Sequence, residues 1–425
     1  MNMTPLSGSN KIVVVGGGAA GMMAAGMAAQ AGAQVTLLEQ NGRLGKKLLI
    51  TGKGRCNVTN DCPWQAVLQS VPTNPRFLYS ALAGFSPADA KKFFEDYGCA
   101  LKTERGNRVF PVSDRSQSVL DALERFLRAY HVRILPRKAA EIAVSDGRVT
   151  GVKTAECPVP ADCVVLATGG LSYPATGSTG SGYAMAQALG HTIIEPTGSL
   201  VPLVEKGHDC AKMQGLALKN IAVKLVNTKG KTVYEDFGEL LFTHFGLSGP
   251  VILSASAHMA RGEAGYTVRI DLKPALDEKT LDARILRDFS AAQNRDFENS
   301  LSALLPRSMI PVVIARSGID PMQKVNSITK QQRRALLETI KCFSVPIACK
   351  APVEDAIVTS GGVKVSEVNA KTMESKLVQG LYFAGELLDV DAYTGGFNLQ
   401  IAWATGRLAG LSAAAKEFQK PEDAT

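Results

Sequence analysis

The sequence has no apolar run that reaches the roughly 18 residues needed to span a bilayer as a helix. Its first ten residues, MNMTPLSGSN, contain neither the basic stretch nor the apolar stretch with which a secretory signal begins. These absences argue against a membrane protein and against a secreted one. We therefore expect a cytoplasmic location and no membrane partner.

The eight cysteines are scattered along the chain and form no CxxC pair. Zinc sites and two-cysteine redox motifs are usually built from such closely spaced pairs. The pattern therefore predicts no metal site and fits reduced thiols in a cytoplasm.

No internal repeat and no long low-complexity segment occurs in the 425 residues. The hydrophobic content of 45% and the charged content of 20% are typical of a globular protein. Because this length exceeds what one ordinary core contains, we expect two or three domains.

The net charge is +8, and the excess is concentrated in two segments. Residues 43–55 contain five cations and no acid, and residues 307–350 contain eight cations and two acids. One such segment is typical of a solvated face, but two together make nucleic acid a partner to consider. The cations predicted to contact RNA are Lys53, Arg316, Lys330, Arg333 and Arg334.

The segment Lys11–Glu39 has the order of elements that a dinucleotide site requires. A β-branched run ends at Gly16-x-Gly18-x-x-Gly21, and small helix-forming residues follow. In this motif the glycines allow a tight turn, a close approach to a pyrophosphate and close helix packing. A second apolar strand ends on Glu39, whose carboxylate can accept the ribose hydroxyls, which favours FAD or NAD over NADP. The predicted contacts of this unit are Gly16, Gly18, Ala19, Ala20, Gly21, Glu39 and Gln40.

A basic, glycine-rich loop follows over residues 41–60, and its glycines argue against a regular helix. We expect it to lie over the cofactor and predict contacts from Lys47, Gly54, Arg55, Cys56 and Asn57. Cys56 follows Arg55, so its pKa is expected to be lowered, and it is a candidate acid, base or nucleophile. The alternative is a cysteine that packs against the cofactor without a chemical role.

Two later segments return the chain to the same site. A strand at residues 162–168 leads to Thr168, Gly169 and Gly170, which we expect near the adenine half of the cofactor. A strand at residues 380–385 leads to a glycine pair before a small-residue helix at residues 399–414, whose N-terminus can support negative charge on a flavin. The contacts predicted here are Gly385, Glu386, Asp389, Gly395, Gly396, Phe397 and Asn398.

The composition changes near Pro196, where alternating segments predict a β-rich insert. Residues 275–342 show the spacing of several amphipathic helices. His244 lies in a glycine-flanked, loop-like stretch of the insert. It is either a structural histidine or a catalytic acid.

Six segments of the chain and one acid, in order and spacing, resemble a family of bacterial FAD flavoproteins of the two-dinucleotide-binding-domain type. In chain order they are GGGAAG, the acid Glu39, GKGRCNVTN, ATGGLSYPATGSTGSGY, LFTHFGLSGP, VTSGGV and LYFAGELLDVDAYTGGFN. Known activities in that family are aminoacetone oxidase, a bile-acid-pathway reductase and ribosomal RNA dihydrouridine synthase. Where the family has GGGRCN, this sequence has GKGRCN, with Lys53 in place of the middle glycine.

The resemblance implies an α/β fold with a discontinuous Rossmann-like FAD domain at residues 1–195 and 355–425. It also implies an inserted β-barrel-like domain at residues 196–274 and 343–354 and a helical domain at residues 275–342. The cofactor that it implies is FAD rather than NAD.

Two functions remain open on the sequence. The first is reduction of a uridine of 23S ribosomal RNA to dihydrouridine by hydride transfer from reduced flavin, with Cys56 as the first candidate acid and His244 as the second. The second is a small-molecule amine oxidase or enone reductase, for which the basic surplus is incidental. NADH or NADPH is the expected electron donor, although no second GxGxxG marks a site for it. The sequence does not indicate an oligomeric state.

Overall fold

A computed structural model of the chain describes residues 10–260 and 264–416. Residues 1–9 lie outside the described residues, and they include most of the N-terminal segment for which the sequence predicts no secretory signal. The chain forms two compact units, one made of residues 1–199 and 353–425 and the other of residues 200–352. The first unit is therefore discontinuous in the chain.

The elements are numbered in chain order. The first segment of the first unit contains strands β1 (Lys11–Val15), β2 (Gln34–Leu38), β3 (Thr59–Asn60), β4 (Leu101–Glu104), β5 (Arg108–Pro111), β6 (Arg133–Leu135), β7 (Ala139–Ser145), β8 (Arg148–Thr154), β9 (Val159–Pro160), β10 (Cys163–Leu166) and β11 (Ile193–Ser199). Its helices are α1 (Ala19–Gln30), α2 (Lys46–Gly54), α3 (Trp64–Gln69), α4 (Tyr79–Gly84), α5 (Pro87–Asp96), α6 (Ser116–Ala129) and α7 (Ser181–Ala188). The second unit contains β12 (Leu203–Glu205), β13 (Ala217–Val226), β14 (Thr232–Phe242), β15 (Gly246–Ser248), β16 (Thr267–Asp271), β17 (Phe343–Lys350), α8 (Asp209–Lys212), α9 (Pro250–Ser256), α10 (Glu278–Ser290), α11 (Ile310–Ser317) and α12 (Lys330–Lys341). The returning segment of the first unit contains β18 (Val358–Val363), β19 (Leu381–Phe383) and α13 (Phe397–Ala414).

A parallel five-stranded sheet forms the centre of the first unit, in the order β19-β10-β1-β2-β6. Strand β1 lies in its middle and pairs with β10 on one side and β2 on the other. Its residues 12–15 are all buried, because a parallel sheet is covered on both faces and needs continuous apolar strands. The predicted α/β, Rossmann-like fold class is confirmed.

Helices α1 and α13 pack with their backbones in close contact. A Cβ on Gly406 would lie 2.4 Å from the carbonyl oxygen of Ala20, and one on Gly410 would lie 2.3 Å from that of Ala24. Glycine at these two positions, one helical turn apart, therefore lets the last described helix lie directly on the first. The helix that opens at the glycine turn of β1 is held in place by the end of the chain.

The first unit also contains a small antiparallel sheet with the strand order β3-β5-β4. Strands β4 and β5 form a hairpin, and β5 also pairs with β3, so that Arg108 lies opposite Asn60. The hairpin predicted around residues 146–147 is confirmed as β7 and β8, which pair up to Ser145 and Arg148.

The glycine-rich loop after Glu39 contains helix α2, which is not regular, and this agrees with the argument from the sequence against a regular helix. The backbone leaves helical geometry at Thr51, Gly52 and Lys53. Gly52 and Lys53 both have positive φ, at 56° and 57°. The glycines therefore break the helix after its first turns, and do not prevent it from starting at Lys46.

The second unit is a closed barrel of six strands, in the order β12-β15-β14-β13-β16-β17, with helices packed on it. Its apolar residues form one cluster that joins strand residues such as Val268 with helix residues such as Leu336. The barrel and the helices, predicted as separate domains, are therefore one unit, because their apolar faces cover each other.

Among the described residues, no helix combines the length and the apolar character that crossing a membrane would require.

Candidate cofactor site and catalytic residues

Gly16 and Gly21 shape the turn between β1 and α1. A Cβ on Gly21 would lie 1.8 Å from the carbonyl oxygen of Gly16, a distance that no side chain tolerates. Gly16 has a φ of 105°, and a Cβ there would lie 2.6 Å from the carbonyl oxygen of Ala167 at the end of β10. Protein packing alone therefore requires glycine at these two positions.

Gly18 is different, because the space around it does not require a glycine. A Cβ at this position would meet no heavy atom of the described residues within 4 Å. Gly18 is also the N-cap residue of α1. Among the described residues, no side chain accepts a hydrogen bond from the backbone N–H groups at this helix end. The first turn, which begins with Ala19 and Ala20, contains no acid. Backbone N–H groups at such a helix end bind phosphate. This cradle fits the pyrophosphate of a dinucleotide.

Glu39 is buried where β2 ends, next to the same turn. One carboxylate oxygen accepts from the backbone N–H of Gly17 at 2.7 Å, and the other accepts from the backbone and side-chain N–H groups of Asn41, both at 2.7 Å. A carboxylate offers about four lone-pair positions, so the side chain can still accept a ribose hydroxyl. Asn41, which the sequence did not single out, holds one oxygen of this carboxylate through both of its N–H donors.

Gln40 points to the loop after β10, where its side-chain amide donates to the carbonyl oxygen of Gly177 at 2.8 Å. Thr168 lies two residues after the end of that strand, and its buried hydroxyl has no hydrogen-bond partner among the described residues. A Cβ on Gly182 would lie 1.9 Å from this hydroxyl, so α7 packs directly against it. The buried hydroxyl of Tyr183 on the same helix also has no partner among the described residues.

Lys47 and Glu386 form an ion pair, with 2.6 Å between Nζ and Oε2. Lys47 also donates to the hydroxyl of Ser172 at 2.6 Å. The other oxygen of Glu386 accepts from Ser172 and from the backbone N–H of Thr359, at 2.9 and 2.8 Å. This cluster joins the segment of Lys47, the segment of Ser172 and the returning segment that contains Thr359 and Glu386.

The glycines next to this cluster also sit in close packing. A Cβ on Gly170 would lie 2.3 Å from the Thr359 hydroxyl, one on Gly169 would lie 3.3 Å from the Ser178 hydroxyl, and one on Gly385 would lie 2.7 Å from the Ala20 side chain. Ser172 and Thr359 were missed by the sequence analysis, because small hydroxyl residues in glycine-rich loops give no distinctive signal.

Arg55 does not point to the dinucleotide turn. Its guanidinium is bound by Glu104 and Asp114, with 2.5 Å from Nη2 to the nearest oxygen of each. The cation also lies over the ring of Phe110, 4.1 Å from the centroid. The charge of Arg55 is therefore neutralised by the protein itself.

Cys56 follows Gly54 and Arg55 in a left-handed backbone conformation, and its thiol is fully buried. Burial raises the pKa of this thiol to about 12, although the hydroxyl of Thr51 acts in the opposite direction. The expected lowering of the pKa by Arg55 is wrong, because the guanidinium turns toward two carboxylates and the thiol turns inward. Next to it, the buried Oδ1 of Asn57 has no hydrogen-bond partner among the described residues.

The glycine pair before α13 is fixed by strand β3. A Cβ on Gly396 would lie 2.4 Å from the carbonyl oxygen of Thr59, and the side chain of Asn60 donates to the carbonyl oxygen of Gly395 at 3.1 Å. Gly396 caps α13, whose first turn contains no acid. The N-terminus of this long helix therefore favours negative charge, and its role beside a flavin stays a prediction.

Two further predicted contacts hold the same segment in place. The side chain of Asn398 bonds both the N–H and the carbonyl oxygen of Ala392, at 2.9 and 2.7 Å. Asp389 is buried and accepts from the side chain of Asn74 at 3.1 Å. Phe397 is half-buried at the start of α13, where a Cβ on Gly395 would lie 3.0 Å from its ring.

His244 belongs to the second unit, in the turn between β14 and β15. Its side chain is exposed, and its ring meets the ring of Phe245 edge-on at 4.9 Å. Its role as an acid remains a prediction.

The predicted RNA-binding cations divide into two groups. Arg316 is bound by Asp209 at 2.9 Å and lies over the ring of Phe343, and Arg333 is bound by Asp282 at 2.6 Å. Both pairs are internal to the second unit. The exposed members are Lys53, Lys330 and Arg334, of which Arg334 pairs with Glu338 one helical turn away.

The model of the HI0933-like protein Rossmann domain family matches residues 10–412. The chain belongs to the HI0933-like family. It is 34% identical over 411 residues to the 3-dehydro-bile acid delta(4,6)-reductase of Clostridium scindens, covering 95% of this chain and 99% of that protein. It is 31% identical over 394 residues to the ribosomal RNA dihydrouridine synthase of Escherichia coli K12, covering 92% and 95%.

Among solved structures, the chain resembles the 3-ketosteroid-delta4-(5alpha)-dehydrogenase of Rhodococcus jostii RHA1 in complex with 4-androstene-3,17-dione. The TM-score is 0.51 at 17% identity, and the match covers 98% of this chain and 99% of that one. This likeness shows the fold.

As an HI0933-like protein, the chain is an FAD-dependent oxidoreductase. The cradle at Gly18, the carboxylate of Glu39 and the unpartnered oxygens of Asn57 and Thr168 fit this cofactor. The described residues contain no group of three or more side chains suited to a metal ion.

Proposed function

We propose that this protein reduces a carbon–carbon double bond conjugated to a carbonyl group, and that its substrate is a uridine of 23S ribosomal RNA. The product is dihydrouridine, and NADH or NADPH supplies the electrons. The proposal places the enzyme in the cytoplasm, with its RNA.

The chemistry of the proposal rests on the names of the two full-length relatives. A delta(4,6)-reductase of a 3-dehydro-bile acid acts on double bonds conjugated to a 3-oxo group. A dihydrouridine synthase acts on the C5–C6 double bond of uracil, which is conjugated to the C4 carbonyl. Both relatives therefore reduce the same kind of activated double bond, and both match nearly the whole chain.

Bound FAD in its reduced form supplies the hydride for such a reduction. The protein holds the cofactor with the N-terminus of α1 and with Glu39, because phosphates favour a positive helix end and hydroxyls favour a carboxylate. The N-terminus of α13 adds a second positive helix end at Gly396.

The reaction also needs a proton for the second carbon. Cys56 is our first candidate for its donor, because it lies in the loop that we expect over the cofactor and its thiol is protonated at neutral pH. His244 is the second candidate.

The observation that favours RNA over a small molecule is the charge of the chain. The net charge is +8, and Lys53, Lys330 and Arg334 are exposed. A polyanionic substrate makes use of such a surplus, whereas a neutral ring system does not. Arg316 and Arg333 do not add to this surface, because each is paired inside the second unit.

A small-molecule reductase is the second candidate function, because the bile-acid reductase shares more identity with this chain than the RNA-modifying relative does. An amine oxidase, the other small-molecule activity considered from the sequence, has no such observation in its favour.

Mass spectrometry of ribosomal RNA from a strain that lacks this protein, compared with its parent, tests the proposal. We expect the loss of one dihydrouridine, restored by the wild-type protein and not by the Gly18→Val variant. Unchanged RNA would contradict the RNA proposal and favour the small-molecule one, which is then tested by flavin reoxidation with conjugated enones.

A further inference from the structure

The turn of the β4–β5 hairpin, residues 105–107, lies next to the glycine pair that begins α13. The side-chain amide of Asn60 connects the two, because it donates to the carbonyl oxygen of Gly106 and to that of Gly395, at 3.1 Å each. The backbone N–H of Asp61 donates to the carbonyl oxygen of Asn107 at 2.7 Å. The hairpin is therefore fixed to the segment that we expect at the flavin.

Arg105 is the first residue of this turn and Arg108 directly follows it, and both are exposed. Arg108 lies opposite Asn60 in the sheet, and its Nε donates to the carbonyl oxygen of Arg105 at 3.0 Å. Within residues 10–260 and 264–416, neither guanidinium has a carboxylate within ion-pair distance. The guanidinium of Arg108 also lies 5.9 Å from the centroid of the Phe110 ring.

The carboxylates around the hairpin are already neutralised by other cations. Asp61 pairs with Lys91 at 2.6 Å. Glu104 pairs with Arg55 at 2.5 Å, and Asp114 pairs with Lys102 at 2.7 Å.

Arg105 and Arg108 therefore give this hairpin an excess of positive charge that no nearby carboxylate of the described residues neutralises. Exposed Lys53 adds to this positive charge, because its neighbour Gly52 lies close to the hairpin. A Cβ on Gly52 would lie 3.4 Å from the ring of Phe110 on β5.

We propose that Arg105 and Arg108 hold the phosphates of the RNA strand that flank the target uridine. The proposal rests on the proposed function, and it replaces Arg316 and Arg333 as the principal cationic contacts. A guanidinium matches a phosphate with two parallel N–H groups, and two of them on one rigid turn would hold a single strand in a fixed register beside the reacting base. A splayed-out nucleotide needs such a backbone contact close to the reaction site.

The test compares FAD-loaded wild-type protein with the double variant Arg105→Gln/Arg108→Gln. The matched control is Arg128→Gln/Arg133→Gln, which removes two exposed arginines from the C-terminal turn of α6 and from the edge strand β6. Binding of an unmodified 23S ribosomal RNA transcript is measured over a series of salt concentrations, and dihydrouridine formation is measured in parallel. The FAD content and absorbance spectrum of each variant report on its folding.

For the hairpin variant we expect several-fold weaker binding, and a slope of log K against log salt that is smaller by about 1.4, since each phosphate contact on a single strand contributes roughly 0.7. The control should bind as the wild type does. If the wild type binds and modifies the RNA and the hairpin variant matches it, the hairpin proposal is overturned and the proposed function stands. If the wild type shows neither salt-dependent binding nor dihydrouridine, the proposed function and the hairpin contact both fail.

Discussion

The carbonyl oxygen of Gly16 lies 1.8 Å from the position that a Cβ on Gly21 would occupy, whereas a Cβ on Gly18 would meet no described atom within 4 Å. The three glycines of one motif therefore serve different purposes. Gly16 and Gly21 are required by the fold itself. For Gly18 the packing of the described residues sets no such requirement, and we propose that the bound cofactor does.

This difference predicts opposite outcomes for two substitutions of the same kind. Gly18→Val should fold and lose FAD, because its methyl groups occupy the cradle for the pyrophosphate. Gly21→Val should fail to fold, with a cost of at least about 3 kcal/mol, because the helix cannot move away from the turn. Circular dichroism and the FAD content of the purified proteins measure both effects, and a Gly18→Val protein with a full complement of flavin would contradict the assignment of the cradle.

The raised pKa of Cys56 predicts that its thiol resists alkylation. In the folded protein, iodoacetamide near pH 8 should label the exposed Cys157, Cys342 and Cys349 and leave Cys56 unmodified, because a thiol with a pKa of about 12 has almost no thiolate there. Peptide mass spectrometry after labelling, with and without denaturant, checks this. Labelling of Cys56 at the rate of the exposed thiols would contradict its burial.

Cys56→Ala tests the thiol as proton donor. The variant should retain FAD, and its turnover should fall by about 100-fold, the usual contribution of a general acid. Cys163→Ala is the matched control, since the Cys163 thiol is also buried and its pKa is also raised to about 12. Equal turnover in Cys56→Ala and the wild type would remove Cys56 from the reaction.

Arg333 and Arg334 are neighbours in the sequence with different expected roles. The side chain of Arg333 is 15% exposed and pairs with Asp282, whereas that of Arg334 is 77% exposed. Arg333→Ala should lower the free energy of unfolding by about 1–3 kcal/mol, because it leaves a partly buried carboxylate without its partner. Arg334→Ala should leave stability nearly unchanged. Urea denaturation of the two variants makes the comparison, and equal stability would contradict the structural role of Arg333.

His191 predicts a loss of stability in mild acid. Its ring is buried, with Nε2 2.8 Å from the hydroxyl of Ser375 and Nδ1 3.5 Å from a carboxylate oxygen of Glu367. Burial lowers the pKa of His191 below its ordinary value of 6.5, and the nearby carboxylate only partly offsets this. The unfolded chain therefore binds the proton more readily than the folded one, so stability falls as the pH drops below about 6.5.

Thermal unfolding at pH 7.5 and at pH 5.5 measures this effect. The drop in Tm should be smaller in His191→Gln than in the wild type, and exposed His131→Gln provides the control. An unchanged drop in His191→Gln would assign the acid sensitivity to other groups.

The sequence predicted the parts of the fold and site that depend on local signals. The strand, glycine turn and helix at residues 11–30 and the Asp146-Gly147 hairpin are local patterns, and both are present. The environment of Cys56 was predicted wrongly, because the direction of the Arg55 side chain depends on Glu104 and Asp114, about fifty residues away along the chain. The position of Arg333 depends in the same way on Asp282, since the helical pattern alone does not show which cation faces a distant acid.

The packing of Gly406 and Gly410 on Ala20 and Ala24 has a consequence for the order of events during protein synthesis. The first helix leaves the ribosome hundreds of residues before its packing partner, so the helix after the dinucleotide turn lacks its contact with α13 while the second unit is being synthesised. Domains generally fold as units when their last segment emerges. The second unit, contiguous in the chain, is therefore expected to fold first, and FAD to be acquired only after residues 397–414 have been translated.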